Sequence, residues 1–221
     1  MSIWARVGVA YPDQVARLPE WLQEVARITE TLTVDDLTRF VPPDGQGRHS
    51  AVLVLFSDER DILLIQRAST MRSHAGQPAF PGGAVDDEDV DAAAAALREA
   101  EEETGLDPAG VVVFGALPDL WVFVTDFVVT PVLGWWRDPS PVRAQDPAEV
   151  ASVHRVPIAA LADPANRCQV LHPSGFVGPG FEVDGILVWG FTAGILSTLL
   201  DTMGWAVPWD DSRMIPLDTG G

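Results

Sequence analysis

The sequence contains no lysine, one cysteine and one tyrosine among its 221 residues. Because a disulfide needs two thiols, the lone Cys168 excludes an internal disulfide, and we expect it to be a buried thiol. Long apolar runs are also missing, since none reaches the roughly 18 residues that a membrane-spanning helix requires. The first residues, MSIWARVGVAYPDQ, have too short an apolar run for a signal peptide. These absences predict a cytoplasmic protein with no membrane partner.

Positive charge is scarce as well. The chain has 14 basic residues, all arginine, against 32 acidic ones, which gives a net charge of −18. A GC-rich genome favours arginine over lysine, and we prefer that explanation of the bias to a functional one. Nonspecific nucleic-acid binding needs clustered cations, so the charge argues against a nucleic-acid partner. A polyanionic small-molecule substrate would instead need bound divalent cations to offset the negative field.

The acidic residues are concentrated in one segment, Asp86–Glu103. The alanine run 92–96 predicts a helix there, and Gly105 is suited to end it. On that helix Glu99, Glu102 and Glu103 stand at i, i+3 and i+4, so their carboxylates share one face. Like charges stacked in this way are destabilising unless a cation such as Mg²⁺ or Mn²⁺ lies among them. An acidic helix face is more often simply solvated, so the three carboxylates alone leave both interpretations open.

The helix belongs to a longer motif. A Gly82-Gly83 turn precedes it, and it ends with the nine residues REAEEETGL, 98–106. This resembles the box of the Nudix hydrolases, in which a glycine loop leads into a helix ending REUxEExGU, where U is aliphatic; Ala100 is a small U. The family's spacing places a Glu at the position of Val90, and this chain has one residue more in that stretch. Either Asp89 or Asp91 substitutes for that Glu, or the loop is longer by one.

A second segment narrows the resemblance. Residues 63–83, LLIQRASTMRSHAGQPAFPGG, are similar to the pattern LLTxR(S/A)xxxRxxxGxxxFPGG of the coenzyme A pyrophosphatase branch, which also tends to carry the longer loop. Weaker similarities extend the resemblance to about residues 50–200, at 129–134, 149–158, 163–166 and 188–193. Pro118–Thr125 departs from the branch, because it lacks the polar Thr- and Ser-containing stretch expected before the next strand. Substrate identity is therefore the open question.

The resemblance implies an α/β fold, a Nudix-type α/β/α sandwich around a mixed β-sheet. It implies a catalytic set of one arginine and four glutamates: Arg98, Glu99, Glu102, Glu103 and Glu149. Glu99, Glu102 and Glu103 would hold Mg²⁺ or Mn²⁺ together with the carbonyl of Gly82, where glycine lets the chain approach the ion. Arg98 would orient the carboxylates. Glu149 would bind metal or act as a general base, or it is an ordinary solvated residue. Arg67 and Arg72 would bind substrate phosphate, or they lie on the surface without a role.

The implied reaction is cleavage of coenzyme A or its thioesters into 3′,5′-ADP and 4′-phosphopantetheine or its acyl form. Two alternatives stay open. One is a different Nudix substrate, such as NADH, ADP-ribose or an oxidised nucleotide. The other is a nucleotide-binding module without turnover, against which the intact set of carboxylates argues. The expected partner is a small nucleotide-like molecule, and we also consider a homodimer.

The extent of the resemblance implies three parts: an N-terminal helical extension and linker at 1–47, a Nudix domain at 48–203, and a C-terminal tail at 204–221. Apolar residues from Leu18 to Leu32 repeat at helical spacing. Residues 51–56 and 62–66 predict a hairpin, and 111–114, 126–134 and 150–156 predict further strands. A short helix follows at 157–161, and residues 188–203 predict a closing helix. His154 falls in a predicted strand, and we find no partner for it at metal-ligand spacing.

Overall fold

The computed structural model describes residues 8–38, 47–71, 75–122 and 125–217. Its helices are α1 (Pro12–Val15), α2 (Glu20–Thr29), α3 (Val34–Leu37), α4 (Ala92–Thr104), α5 (Ile158–Ala162) and α6 (Gly190–Thr202). Its strands are β1 (Val9–Ala10), β2 (Arg48–Ser57), β3 (Asp61–Arg67), β4 (Pro78–Ala79), β5 (Gly82–Ala84), β6 (Val111–Ala116), β7 (Leu120–Val122), β8 (Phe127–Trp136), β9 (Val150–Pro157), β10 (Arg167–Leu171), β11 (Val177–Val183), β12 (Ile186–Val188) and β13 (Met214–Pro216).

The larger sheet is mixed, as predicted. Within the described residues it has nine strands, with the path β1-β6-β8-β2-β3-β4 and with β5, β7 and β9 attached to β2, β8 and β3. β2 and β8 run parallel over ten residue pairs, whereas the other pairings in this sheet are antiparallel. The predicted α/β architecture is confirmed.

Each face of this sheet has its own apolar core. The side chains of β2 alternate between the two faces, as the period of a strand requires. One face packs under α4, in a helix-side core that contains Ala51, Leu53, Leu55, Leu63, Ala95, Ala96, Ala100, Leu106, Val132 and Trp136. The opposite core includes Leu22, Val25, Phe56, Leu64, Phe80, Phe114, Val156, Phe181, Val188 and Leu196. Burying a side chain such as Phe56 or Phe114 contributes roughly 2 kcal/mol.

The opposite core includes an element that the sequence did not predict. In the described chain β12, β11, β10 and β13 form a second, four-stranded sheet, and β13 runs parallel to β10. β11 and β12 meet at a two-residue turn, Asp184-Gly185, in which both residues have positive φ, 51° and 76°. α6 follows β12, so the helix predicted for 188–203 starts two residues later than expected and the residues before it are a strand.

The N-terminal segment packs on the same core. α2 buries Leu22, Val25 and Ala26, and the Trp21 ring meets that of Phe56 in a T-shaped, edge-to-face contact at 6.0 Å between centroids. β1 adds to the edge of the large sheet beside β6. The helical spacing from Leu18 to Leu32 thus corresponds to a helix, although a shorter one than the full pattern.

Cys168 and the membrane-spanning potential of the helices were both addressed by the sequence. Cys168 lies in β10 with no exposed surface and is a free thiol, as predicted. Among the helices of the described residues, none is both long and apolar enough to cross a bilayer.

Candidate active site

Helix α4 carries the acidic face, and both of its ends are fixed by local contacts. Asp91 caps the start, where its carboxylate accepts a hydrogen bond of 2.8 Å from the Ala94 N–H. Gly105 ends the helix in the left-handed conformation, with φ of 72°, and its N–H donates to the Glu101 carbonyl at 2.8 Å. Ala95, Ala96 and Ala100 pack against the sheet. Small side chains on that face let the helix approach β2 and β5 closely.

Glu103 is the most enclosed of the three glutamates Glu99, Glu102 and Glu103. Its side chain is 8% exposed. One of its oxygens accepts a hydrogen bond of 3.0 Å from the Gly82 N–H, and the other lies 3.9 Å from Nη1 of Arg67. Burial raises the pKa of Glu103 to about 7, although the Gly82 hydrogen bond and the Arg67 charge oppose the rise. The negative charges of Glu99 and Glu149 add to it.

Gly82 and Gly83, expected to form a turn, belong instead to strand β5 and pair with β2, and Glu99 lies directly over Gly83. A Cβ built on Gly83 would come within 2.5 Å of the Glu99 carboxylate, so a larger residue there would displace that side chain from its position. Burial raises the pKa of Glu99 against the lowering effect of Arg98. Glu102 differs, because its side chain is 59% exposed. The three carboxylates therefore share one helix face, as predicted, but they lie at three different depths.

Arg98 holds this face together. Its guanidinium donates two hydrogen bonds to Asp89, of 3.2 Å from Nε and 2.9 Å from Nη2, and one of 3.0 Å to the Ala84 carbonyl. Nη1 donates to Glu99 at 2.9 Å and to Glu102 at 3.3 Å. These contacts raise the pKa of Arg98, and its hydrogen bonds lower that of Asp89.

The contacts of Arg98 resolve the question left by the extra residue before α4. Asp89 contacts the arginine, whereas Asp91 caps the helix. Val90, at the position of the family's Glu, is 89% exposed. The longer loop thus divides two tasks between two aspartates.

The remaining site residues lie at the edge of this arrangement or outside the described residues. Glu149 immediately precedes β9, and its carbonyl accepts a hydrogen bond of 2.8 Å from the Ala68 N–H. Its negative charge contributes to the raised pKa of Glu103. Arg67, at the end of β3, faces Glu103 and is partly buried. Arg72, the other expected phosphate ligand, falls outside the residues that the structure describes.

The donor set has the chemistry that a hard divalent cation requires. Glu99, Glu102 and Glu103 offer carboxylate oxygens from one helix face, and the Gly82 turn lies against Glu103. Within the described ranges, however, no three His, Cys, Asp or Glu side chains are close enough together to hold a metal ion. Arg98 supplies the positive charge between Glu99 and Glu102. The residue types fit a metal, and the exposed Glu102 is the carboxylate that would have to turn.

Sequence reasoning missed two features near this site. Arg67 was expected to bind phosphate, and its approach to Glu103 was not foreseen. His154 was assigned no partner, yet its ring contacts Ser152 on its own strand and Asp184 in the β11–β12 turn. The Asp184-Gly185 dipeptide is a strong hairpin signal that could have located that turn.

Comparison with known proteins now identifies the class. A model of the NUDIX domain matches residues 47–172, more than half of the chain. The chain belongs to the Nudix family of hydrolases, which act on phosphate anhydrides.

Similar proteins are found in enteric bacteria. A Cronobacter sakazakii protein named "Uncharacterized Nudix hydrolase NudL" is 43% identical over 166 residues, which cover 71% of this chain and 83% of that protein. A protein of the same name from Escherichia coli K12 is 41% identical over 191 residues, or 79% and 96% of the two chains. Among solved structures, the Nudix hydrolase RenU from M. smegmatis is 21% identical with a TM-score of 0.47, covering 76% of this chain and 93% of its own.

Proposed function

We propose that this Nudix protein is a metal-dependent pyrophosphohydrolase that cleaves the diphosphate of coenzyme A or an acyl-CoA. The products would be 3′,5′-ADP and 4′-phosphopantetheine or its acyl form. The observation that supports coenzyme A as the substrate is the 63–83 segment, whose pattern resembles the coenzyme A branch. The proposal also includes a small nucleotide-like substrate, a cytoplasmic location and a homodimer.

The placement of that segment supports the proposal. It begins within β3, which ends at Arg67 beside Glu103. It ends at Gly82 and Gly83, the first residues of β5, beneath α4. Both ends of the pattern therefore lie at the carboxylates. Nε of Arg67 is buried without a hydrogen-bond partner among the described residues, but the side chain as a whole is 23% exposed, so part of it is accessible to a ligand close to Glu103. A phosphate oxygen is a natural acceptor for it.

Each residue has a task that follows from its contacts. Mg²⁺ or Mn²⁺, when bound by Glu99, Glu102, Glu103 and the Gly82 carbonyl, would neutralise diphosphate charge and lower the pKa of a water. Arg98 holds Glu99 and Glu102 in place through its links to Asp89 and Ala84. Arg67 would donate a hydrogen bond to a phosphate oxygen of the substrate. Glu99, Glu103 and Glu149 are the carboxylates available to take the proton of the attacking water.

A side-by-side substrate panel tests the proposal. The purified protein is incubated with Mg²⁺ or Mn²⁺ and with coenzyme A, NADH, ADP-ribose or 8-oxo-dGTP, and the products are separated by chromatography. Release of 3′,5′-ADP from coenzyme A, abolished by EDTA and restored by metal, is the expected result. Faster turnover of another substrate would contradict the coenzyme A assignment and direct attention to Pro118–Thr125.

A complete lack of turnover would favour the binding-module alternative. Direct binding of coenzyme A and ADP-ribose by calorimetry would then be measured on the same protein. Binding without hydrolysis, in the presence of either metal, would overturn the proposed enzymatic function.

A further inference from the structure

A chain of polar side chains crosses the sheet face opposite to α4. Ser152 pairs with Gln66, and His154 with Leu64, in the β3–β9 register, so Gln66, Ser152 and His154 share a face. Leu64 and Val156 belong to the opposite core, which identifies that face. The polar chain thus lies behind the acidic helix, separated from it by the sheet.

Four contacts link this chain from end to end. His154 Nδ1 lies 2.5 Å from a carboxylate oxygen of Asp184, and Nε2 lies 2.7 Å from the Ser152 hydroxyl oxygen. The Ser152 hydroxyl donates to Oε1 of Gln66 at 3.2 Å, and Nε2 of Gln66 donates to the Gly76 carbonyl at 3.4 Å. The His154 side chain is 11% exposed and Asp184 58% exposed. One end of the chain is therefore open to solvent, and the other holds the backbone of the 63–83 segment.

The direction of these hydrogen bonds depends on the charge of His154. A serine hydroxyl has one proton. If the imidazole is charged, both ring nitrogens donate, to Asp184 and to Ser152, and the serine proton is free for Gln66. If the ring is neutral with its proton directed at Asp184, Nε2 must accept the serine proton. Oε1 of Gln66 then faces an oxygen without a proton between them, and the amide has to turn away from Gly76.

The end of this chain lies one residue from the proposed site. Gln66 and Arg67 are consecutive, so strand alternation places Arg67 on the α4 side, where it faces Glu103. The β3–β9 register also shifts between the two residues, and such bulges are over-represented next to active sites. The Arg67 N–H also donates to the Gln77 carbonyl at 3.0 Å, beside Gly76. The position of Gly76 therefore bears on the position of Arg67.

We propose that His154 is a positioning residue, which in its charged form directs Ser152 onto Gln66 and so holds Gly76 and the Arg67 bulge in place for substrate. The role of His154 in turnover rests on the proposed function. The series of contacts from Asp184 through His154, Ser152 and Gln66 to Gly76, called the relay below, does not depend on that function. Ser152 acts as a link and not as a nucleophile, since its hydroxyl is engaged by His154 on one side and Gln66 on the other. Among the described residues, Asp184 is the ionisable group that pairs with His154; its other polar neighbours along β9 and β3, Ser152 and Gln66, do not titrate.

The relay is tested by nuclear magnetic resonance without any substrate. The side-chain amide signals of Gln66, assigned by their loss in Gln66→Met, and the His154 ring signals are followed from pH 5 to 8, the range in which histidines change charge. We expect both to move with one common midpoint. Asp184→Asn removes the carboxylate that contacts Nδ1 of the ring, so it should displace both sets of signals together. Asparagine tolerates positive φ, so the exposed turn keeps its fold.

Turnover provides the second arm. At one fixed pH, His154→Gln should raise KM for coenzyme A by about three- to tenfold over the wild type, the factor that one hydrogen bond contributes, with kcat little changed. The matched control is His172→Gln, because His172 also contacts a serine hydroxyl, Ser174, but in an exposed turn. That variant should keep the wild-type KM.

Several results would overturn the proposal. Gln66 signals that do not follow His154, or that ignore Asp184→Asn, would refute the relay whatever the enzyme hydrolyses. A His154→Gln protein that turns over coenzyme A with the wild-type KM would refute the positioning role. A protein that shows the relay but hydrolyses none of the substrates would refute the proposed function and leave the relay established.

Discussion

The Gly82 N–H donates a hydrogen bond of 3.0 Å to the carboxylate of Glu103, and this bond connects the last turn of α4 to strand β5. The two residues are far apart in sequence but form one unit in space. Because the glycine has φ of 155° and a Cβ there would lie 2.3 Å from the Ala51 carbonyl, the unit depends on glycine. The buried carboxylate is thus held by backbone that cannot easily move.

Glu103→Gln should lower turnover by about 10²–10⁴-fold, the range for a group that takes part in proton transfer, because the amide keeps the shape and loses the charge. Glu101→Gln is the matched control, with the same substitution on an exposed residue of the same helix. It should leave kcat and KM close to those of the wild type. Equal rates for both variants would refute the assignment of Glu103.

The metal-free protein should lose stability as pH rises from about 4.5 to 7. In the folded state Glu103 keeps its proton up to a pKa of about 7, whereas the unfolded chain releases it near 4.5. The folded state binds more protons in that window, so its free energy of unfolding falls by up to about 3 kcal/mol as pH increases. Urea unfolding in EDTA measures this slope. Glu103→Gln should flatten the part of the slope that Glu103 contributes, and parallel curves for the two proteins would contradict the assignment.

Arg98→Lys should lower kcat by about 10–100-fold although the charge is kept. Lysine cannot reproduce the paired hydrogen bonds to Asp89 while also reaching Glu99 and the Ala84 carbonyl. Asp89→Asn should change kcat in the same direction, since it removes the partner that anchors the guanidinium. The control is Arg137→Lys, because Arg137 pairs with Asp138 on the surface. Steady-state kinetics of the three variants would disprove the prediction if Arg98→Lys behaved like the control.

Gly83→Ala should impair activity through a purely steric effect. The added methyl would meet the Glu99 carboxylate at 2.5 Å, so the side chain must move away from the turn. The control is Gly194→Ala in α6, where a Cβ meets nothing within 4 Å. There we expect a gain of about 0.5–1 kcal/mol in stability, since alanine is the better helix former. Thermal unfolding and kinetics separate the two effects; an active Gly83→Ala protein would contradict the model of the site.

Local patterns predicted the elements around the acidic helix well. The alanine run, Asp91 and Gly105 contain enough information to place α4, and short runs rich in apolar and β-branched residues predicted β2, β3, β8 and β9. These features are short-range, so neighbouring residues in the sequence determine them. The choice between Asp89 and Asp91 was different, since it depended on where the loop returns to Arg98.

The second sheet and the His154 relay could not be found in the same way. β10, β11 and β13 lie in a stretch rich in glycine and proline, which reads as turns when no partner strand is known. His154 meets Asp184 across thirty residues. Such a contact requires two sheets to be packed first, and no local pattern encodes their packing.

The division of the large sheet into two cores limits how the molecule can be shortened. The segment that matches the Nudix model ends at 172, but α2, β12 and α6 complete the core opposite to α4. A fragment cut to 47–172 would leave Phe56, Leu64 and Phe114 uncovered on one side. Such a fragment would retain the acidic helix and expose a wide apolar face, so we expect it to precipitate rather than to behave as a minimal enzyme.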